Sequence, residues 1–317
     1  MNRKLFSLAI IFLLSFTITL QAREQPGRVK TEILKAVVRI ELPPGENGFT
    51  PIGTGFLVSR EVAIEGTLTR KTFLVTNKHI LGDWNAADGN IADYHDWINV
   101  YLYRTTAASG LYHKPLKIIL KDKDGKPLRK VKIHPNPVID VGIIALDEEL
   151  SPSNDIDLVS FDVDDLLPFN GISTWFAGIG DQVFVMGYPL GMSSLQNNYP
   201  IVKPGYIASP PGEEFVVNYP CKNRKNELVN TRIAGRILAV DGLIAAGNSG
   251  GPVVLPVETK TLRDPKINQL RRSSEATKTF VIGVVSSVLG HSGVNIAYSS
   301  DYILFLIEQY VTDQNAK

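Results

Sequence analysis

Hydrophobic positions along this chain fall in short runs separated by polar turns, a pattern that predicts β-strands more than helices. Residues 33–41 form one apolar run of strand length, and residues 140–146 form another that is apolar enough to be a buried strand. Residues 120–127 predict a hairpin tip, with Asp124 and Gly125 as its turn pair. No strand–helix alternation repeats along the chain. The pattern therefore predicts an all-β fold.

One helix is predicted near the end of the chain, over residues 301–314. The polar side chains of Ser299, Ser300 and Asp301 precede it and could accept hydrogen bonds from its first free N–H groups. The apolar residues that follow have helical spacing and share one face: Ile303, Leu304, Leu306, Ile307 and Tyr310. A face of this kind predicts a helix packed on the strands.

The first 22 residues have the pattern of a secretory signal peptide. Arg3 and Lys4 give a basic start, residues 5–20 are mostly apolar, and Ala22 offers a cleavage position. The alternative is an uncleaved anchor, but the apolar stretch is shorter than the roughly 20 residues that a membrane span needs. We therefore expect a periplasmic or secreted protein without a transmembrane span once the signal is removed.

The charge balance and the cysteine content limit the kinds of partner and of stabilisation that the sequence predicts. The 317 residues include 33 Lys and Arg against 32 Asp and Glu, so no general field attracts nucleic acid or membranes. Cys221 is the single cysteine, so no internal disulfide can form and the core must stabilise the fold by itself. Nothing in the sequence implies a metal or cofactor, and the oligomeric state is left open.

The most informative motif is Gly-Asn-Ser-Gly-Gly-Pro at residues 247–252. Glycines adopt backbone angles closed to other residues, so a turn rich in glycine can aim several N–H groups at one point. Such donors beside a serine hydroxyl could hold the oxyanion of an acyl-transfer reaction. The motif also fits the Gly-x-Ser-x-Gly elbow of α/β-hydrolases, so two hydrolase folds are open at this point.

A nucleophilic serine needs a base, and His79 is the best candidate among five histidines. It follows a β-favouring run and a polar Thr-Asn-Lys corner, which places an imidazole at the end of a strand. The others lie in loop-like or turn-like contexts: His95, His113, His134 and His291.

Asp140 is the best candidate to orient that base. It stands at the start of the apolar run 140–146, where a carboxylate is costly unless it is hydrogen-bonded. An imidazole N–H is a suitable donor. The order His79, Asp140, Ser249 excludes the α/β-hydrolase elbow, which requires the acid and the histidine after the serine, whereas only His291 follows it here.

With these segments the chain resembles a trypsin-like serine protease, closest to the bacterial HtrA-like branch. Four other segments carry the resemblance: residues 53–58, 181–191, 283–287 and 295–299. Members of that branch usually continue into a PDZ domain. Since this sequence ends at Lys317, we expect none here.

The resemblance implies two antiparallel Greek-key β-barrels with the active site between them. We expect the first barrel, carrying the histidine and the aspartate, over residues 31–150, and an acidic connector over residues 151–168. The second barrel, carrying the serine, is expected over residues 169–300, followed by the C-terminal helix.

The resemblance also implies the roles of the site residues. Ser249 would attack a peptide carbonyl, His79 would transfer the proton, and Asp140 would orient His79. The N–H groups of Gly247 and Ser249 would hold the oxyanion. Leu243, six residues before the serine, would form the floor of the specificity pocket, with walls from Val285, Ser287 and Ile296. A leucine in place of an aspartate favours apolar side chains before the cut.

Two other functions stay open. The chain could be a latent or binding protein on a protease fold, if the turn around the serine does not present its N–H groups to a substrate. It could also be an esterase-like hydrolase that uses the same nucleophile on another substrate. A polypeptide substrate is the main expectation.

Overall fold

A computed structural model describes most of the chain after residue 28. The described residues are 29–45, 48–64, 67–85, 87, 90–108, 110–147, 149–150, 155–174, 177–211, 213–256, 261–264, 269–272, 278–288 and 293–315. The proposed signal peptide lies outside them. No helix among these residues is long and apolar enough to cross a membrane.

The first half of the chain is a twisted antiparallel sheet. Its strands and their hairpin neighbours are β1 (Val37–Gly45), β2 (Gly48–Ile64), β3 (Thr67–Thr76), β4 (Gly82–Trp84), β5 (Ile91–Tyr94), β6 (Trp97–Ala108), β7 (Leu111–Ile119), β8 (Val131–Ile133) and β9 (Gly142–Ala145). The order in the sheet is β7-β6-β1-β2-β3-β9-β8, while β4 and β5 pair separately. A 3-10 helix, Thr31–Ala36, leads into β1, and the helical turn α1 (Lys78–Leu81) follows β3.

The second half is a closed six-stranded barrel. Its strands are β11 (Gln182–Gly187), β12 (Ile201–Ile207), β15 (Ile237–Asp241), β16 (Pro252–Leu255), β19 (Phe280–Val288) and β20 (Val294–Ser299), in the order β11-β12-β15-β20-β19-β16. Because β20 and β19 lie between β15 and β16, the connection is a Greek key. A hairpin of β13 (Phe215–Lys222) and β14 (Leu228–Gly235) is inserted after β12, and a short helix, α2 (Phe169–Thr174), precedes β11.

The mostly-β fold predicted from the sequence is confirmed, with one difference in the first half. There the described end strands β7 and β8 are not paired with each other, so the sheet is barrel-like without full hydrogen-bonded closure. A further pair, β17 (Thr261–Asp264) and β18 (Gln269–Arg272), belongs to a separate compact unit.

The segment expected to be a plain connector contributes to the core. Strand β10 (Phe161–Asp162) pairs in parallel with β2, and a 3-10 turn, Val163–Asp165, follows it. Phe161 is fully buried and meets Phe56 edge to face, with ring centroids 5.9 Å apart. Burying an aromatic ring removes a large apolar area from water, so this contact fixes the connector on the first sheet.

The C-terminal helix forms as predicted, as α3 (Asp301–Asn315). Ile303, Leu306, Ile307 and Tyr310 are buried, while Leu304 is only partly buried at the edge of the same face. The Ser300 hydroxyl donates to the main-chain carbonyl of Leu167 and does not cap the helix. The main-chain carbonyl of Ser300 accepts the N–H groups of Ile303 and Leu304 in the first turn of the helix.

Candidate active site

His79 lies in α1, the single helical turn directly after β3. Asn77 enters the turn with extended backbone angles, and Ile80 and Leu81 anchor it because both are buried in the core of the first sheet. The side chain of His79 keeps 31% of its surface exposed. The packing therefore fixes the backbone of His79 and leaves its ring accessible.

The register of the sheet brings Asp140 to His79. The pairing of β3 with β9 ends with Thr76 opposite Gly142, so the segments that carry His79 and Asp140 leave two neighbouring strands at adjacent points. Asp140 Oδ2 lies 2.7 Å from His79 Nδ1, and Oδ1 accepts the main-chain N–H of His79 at 3.2 Å. Since an ionised carboxylate only accepts, Nδ1 carries the proton and Nε2 is free to act as a base.

The electrostatics of this pair favour an ionised acid beside a strengthened base. Burial by itself raises the pKa of Asp140, but the charge and hydrogen bonds of His79, with a hydrogen bond from Ser286, outweigh it and lower that pKa. Burial also lowers the pKa of His79, and the attraction to Asp140 outweighs it, so the pKa of His79 is raised. The imidazole is therefore a stronger base than a free histidine.

Ser286 is a site residue that the sequence analysis missed. Its hydroxyl donates to Asp140 Oδ2 at 2.6 Å, and its main-chain carbonyl accepts the hydroxyl of Ser249 at 3.0 Å. It lies where the register of β19 and β20 shifts between Val285 and Ser287. An irregularity of this kind turns a side chain away from the regular alternation, and no sequence pattern marked it.

Ser249 lies on the turn between β15 and β16 and is connected to Asp140 through Ser286. Its hydroxyl donates to the carbonyl of Ser286, and among the described residues it makes no hydrogen bond with His79. Hydrogen bonds of this type are often long or misaligned before a substrate binds. The serine is therefore in the site, with its hydroxyl engaged by a neighbouring carbonyl.

Gly247 needs its glycine because of both angle and space. Its φ is +95°, in the region that favours glycine, and a Cβ at this position would collide with the carbonyl oxygen of Tyr188. The carbonyl of Ala246, one residue earlier, accepts the N–H of Leu190 at 2.8 Å. Leu190 itself has a φ of +53°, a left-handed conformation that residues other than glycine rarely adopt.

Thr54 on β2 joins the first sheet to this turn. Its hydroxyl donates to the carbonyl of Gly247 at 2.6 Å, and its N–H donates to the carbonyl of Ser249 at 2.8 Å. These bonds use the carbonyl groups of Gly247 and Ser249. The N–H groups of the same two residues have no acceptor among the described residues. Two unpaired donors therefore flank the serine.

The residues expected to form a specificity pocket are not gathered in one. Leu243 is 85% exposed, whereas Val285 and Ile296 are each 1% exposed and lie in two different hydrophobic cores. Ser287 pairs with Ile296 through the backbone. Val285 packs in the same core as Ala297, whereas Ile296 points to the opposite face of β20 and packs in the core that also contains buried residues of the C-terminal helix.

Among the described residues, the histidines His95, His113 and His134 take no part in this cluster. His113, which the sequence suggested is a turn residue, lies within β7 and faces the ring of Tyr101. His134 precedes the Asp140 segment, and His291 lies outside the described residues. In the part of the chain that the structure describes, no three His, Cys, Asp or Glu side chains are grouped so as to hold a metal ion.

Comparison with known proteins places these residues in a family context. A family model described as a trypsin-like peptidase domain matches residues 53–260, which include all three candidates. No curated protein sequence matches the chain.

Similar solved structures include the inactive form of Rv3671c protease, at 16% identity and TM-score 0.42 over 88% of this chain and 90% of that one. The active form of Rv3671c protease from M. tuberculosis matches at 16% identity and TM-score 0.43, over 88% and 82%. The HtrA-type protease AlgW with a decapeptide matches at 14% identity and TM-score 0.44, over 89% and 66%.

Proposed function

Because the chain belongs to the trypsin-like peptidase family and is a serine protease, we propose that it cleaves polypeptides with Ser249, His79 and Asp140. The observation that carries the proposal is one chain of hydrogen bonds. It runs from the Ser249 hydroxyl to Ser286 at 3.0 Å, from Ser286 to Asp140 at 2.6 Å, and from Asp140 to His79 at 2.7 Å. These contacts connect the nucleophile, the base and the orienting acid.

In the first half of the reaction, the Ser249 hydroxyl leaves the carbonyl of Ser286 and gives its proton to His79 Nε2. Oγ then bonds to the carbonyl carbon of the substrate, and the carbonyl oxygen becomes an oxyanion. When the C–N bond breaks, the amine takes the proton from His79 and leaves. The product of this half is an acyl-enzyme on Ser249.

In the second half, His79 takes a proton from water, and the resulting oxygen nucleophile attacks the acyl carbon. Collapse of that intermediate returns the proton to Ser249 and releases the acid. In both halves the free N–H groups of Gly247 and Ser249 would stabilise the oxyanion. The loss of one such donor typically lowers the rate by about 10²–10³.

We extend the proposal to an apolar preference before the cut. Leu243 stands where an aspartate would attract lysine or arginine, and its exposed side chain can contact a substrate. Since Val285 and Ile296 are buried in the core, the proposed preference rests on Leu243. Cleavage chiefly after Arg or Lys in a peptide library would refute it.

A second candidate, a latent protease-fold binding protein, has one observation in its favour. The Ser249 hydroxyl is engaged by the carbonyl of Ser286 and not by His79. A protein that keeps this arrangement when a polypeptide binds would hold the substrate without cleaving it.

We also propose that the protein acts in a periplasm or outside the cell. The basic and apolar pattern of residues 1–22 supports export. Detection of the full-length chain in the cytoplasmic fraction alone, with no shortened form, would contradict this proposal.

The test compares the wild type with Ser249→Ala on unfolded casein and on a short-chain ester. Ser160→Ala is the matched control, because Ser160 is also partly buried but bonds to Ser59, away from the site. The proposal predicts that the wild type and Ser160→Ala cleave casein and that Ser249→Ala does not. Hydrolysis of the ester alone would indicate an esterase-like enzyme. Binding of casein without cleavage, by folded wild-type protein, would indicate the latent function.

A further inference from the structure

Lys78, directly before His79, is one of the largest fully buried side chains of the protein. Only 1% of its surface is exposed. Lysine is almost never fully buried unless its ammonium has partners, since burial removes the water that solvates the charge. An apolar side chain of similar size would fill the same space without that penalty. The position of this lysine therefore calls for a specific reason.

The ammonium of Lys78 is bound to the turn that leads to Asp140. Its Nζ donates to the carbonyl of Asn136 at 2.9 Å and approaches that of Pro137 at 3.4 Å. Four residues later along the chain, Asp140 enters the site. Lys78, the residue before the proposed base, is thus bound to the turn that precedes the proposed acid.

Two neutral donors also bind residues 137–140: one belongs to Asn77, directly before Lys78, and the other to Trp84 on β4. The side-chain amide of Asn77 donates to the carbonyl of Asp140 at 2.6 Å, and Trp84 Nε1 donates to the carbonyl of Pro137 at 3.3 Å. Lys78 is the one charged donor among these contacts, and hydrogen bonds from an ionised donor are about twice as strong as neutral ones.

We propose that Lys78 is a positioning residue, which holds the turn before Asp140 in register with His79. It touches no reacting atom. Its effect reaches the chemistry through the distance and angle between the carboxylate and the imidazole. The inference deepens the proposed function and rests on it where a rate is measured, but the geometry that it describes exists with or without catalysis.

The charge on Lys78 gives the proposal a pH signature. Burial lowers the pKa of Lys78 to about 8, and the nearby carboxylate of Asp140 opposes that change. His134 also faces the ammonium, but burial and the charge of Lys78 lower the pKa of His134 to about 4, so it is neutral at higher pH. As the pH rises through about 8, Lys78 loses its charge and the turn loses its strongest donor.

The experiment measures kcat, KM and the imidazole proton resonance of the full chain from pH 5 to 10. The variants are Lys78→Met, Lys78→Arg and the control Lys132→Met. Lys132 is on β8 and pairs with Asp313, so its loss removes a buried-stem lysine without touching the Asp140 turn. Circular dichroism at each pH confirms that every variant is folded.

We expect kcat of Lys78→Met to fall roughly ten- to a hundredfold, as for a lost hydrogen bond to a charged group, with little change in KM. The kcat of the wild type and of Lys132→Met should fall above about pH 8, and this alkaline limb of the pH profile should be absent in Lys78→Met. Lys78→Arg, charged at every pH tested, should recover part of the rate without the limb. The downfield proton between His79 and Asp140 should shift or broaden in Lys78→Met.

The outcomes separate the two proposals. If the wild type cleaves and Lys78→Met matches it in rate, limb and proton resonance, the positioning role is wrong and the proposed function stands. If no variant cleaves but the resonance changes only in Lys78→Met, the proposed function fails and the positioning role stands. Equal effects in Lys78→Met and Lys132→Met would overturn the positioning role.

Discussion

Replacement of Asp140 with asparagine would reverse the proton arrangement of His79 with almost no change in shape. The main-chain N–H of His79 donates to Oδ1 at 3.2 Å, so the amide oxygen must occupy that end of the side chain. The amide NH₂ then faces His79 Nδ1 at the 2.7 Å contact and forces Nδ1 to accept. The proton moves to Nε2, which can no longer take a proton from the nucleophile.

The size of the effect follows from the loss of the correct tautomer. For a triad of this geometry, an asparagine at the acid position lowers kcat about 10⁴-fold, or about 5 kcal/mol of transition-state free energy. Ser286 does not rescue the variant, because its hydroxyl can turn to accept from the new NH₂ group without changing the His79 tautomer. The fold should persist, since the substitution removes a buried charge and keeps the volume.

The assay is kcat on an unfolded fluorogenic polypeptide, with the imidazole proton resonance as a second readout. Asp96→Asn is the matched control: the side chain of Asp96 is 79% exposed and pairs with Lys121, so its loss should leave kcat within about twofold. If Asp140→Asn keeps kcat within about tenfold of the wild type, Asp140 does not set the tautomer of His79 and this reasoning is refuted.

Three further predictions concern the same site. Gly247→Ala should lower kcat by about 10² or more, because its Cβ collides with the carbonyl of Tyr188; an unchanged kcat would show that the N–H of Gly247 is not used. Ser286→Ala removes a donor to Asp140 and should lower kcat about tenfold, which a double-mutant cycle with Asp140→Asn would resolve as strong coupling. The pH dependence of kcat/KM should have its acid midpoint above about 6.5, since the pKa of His79 is raised and the base must be neutral to act; a midpoint below that value would contradict the pairing with Asp140.

Much of the fold was readable from local pattern, and its exceptions have physical causes. Apolar runs of strand length predict the strands, and one apolar face predicts the C-terminal helix. Both predictions succeed because the spacing of the apolar residues matches the side of each element that is buried. The burial of Phe161 was not predicted, because it is a single aromatic residue in an acidic segment with turn residues. Incomplete closure of the first sheet depends on pairing between distant strands, which no short window contains.

In the site, the sequence predicted candidates that follow from chain order and strand ends. His79 and Asp140 meet because the register of two strands brings their ends together. Ser286 was missed because its position depends on a register shift. Lys78 was missed because a lysine beside a loop is normally exposed, and only the fold shows that this one is buried.

The most direct measurement of the central claim is covalent labelling of the folded protein with a fluorophosphonate, followed by mass spectrometry of the modified peptide. Our account predicts one adduct on Ser249, lost in Ser249→Ala and greatly slowed in Asp140→Asn. Folded wild-type protein without an adduct, or with an adduct on another serine, would contradict it.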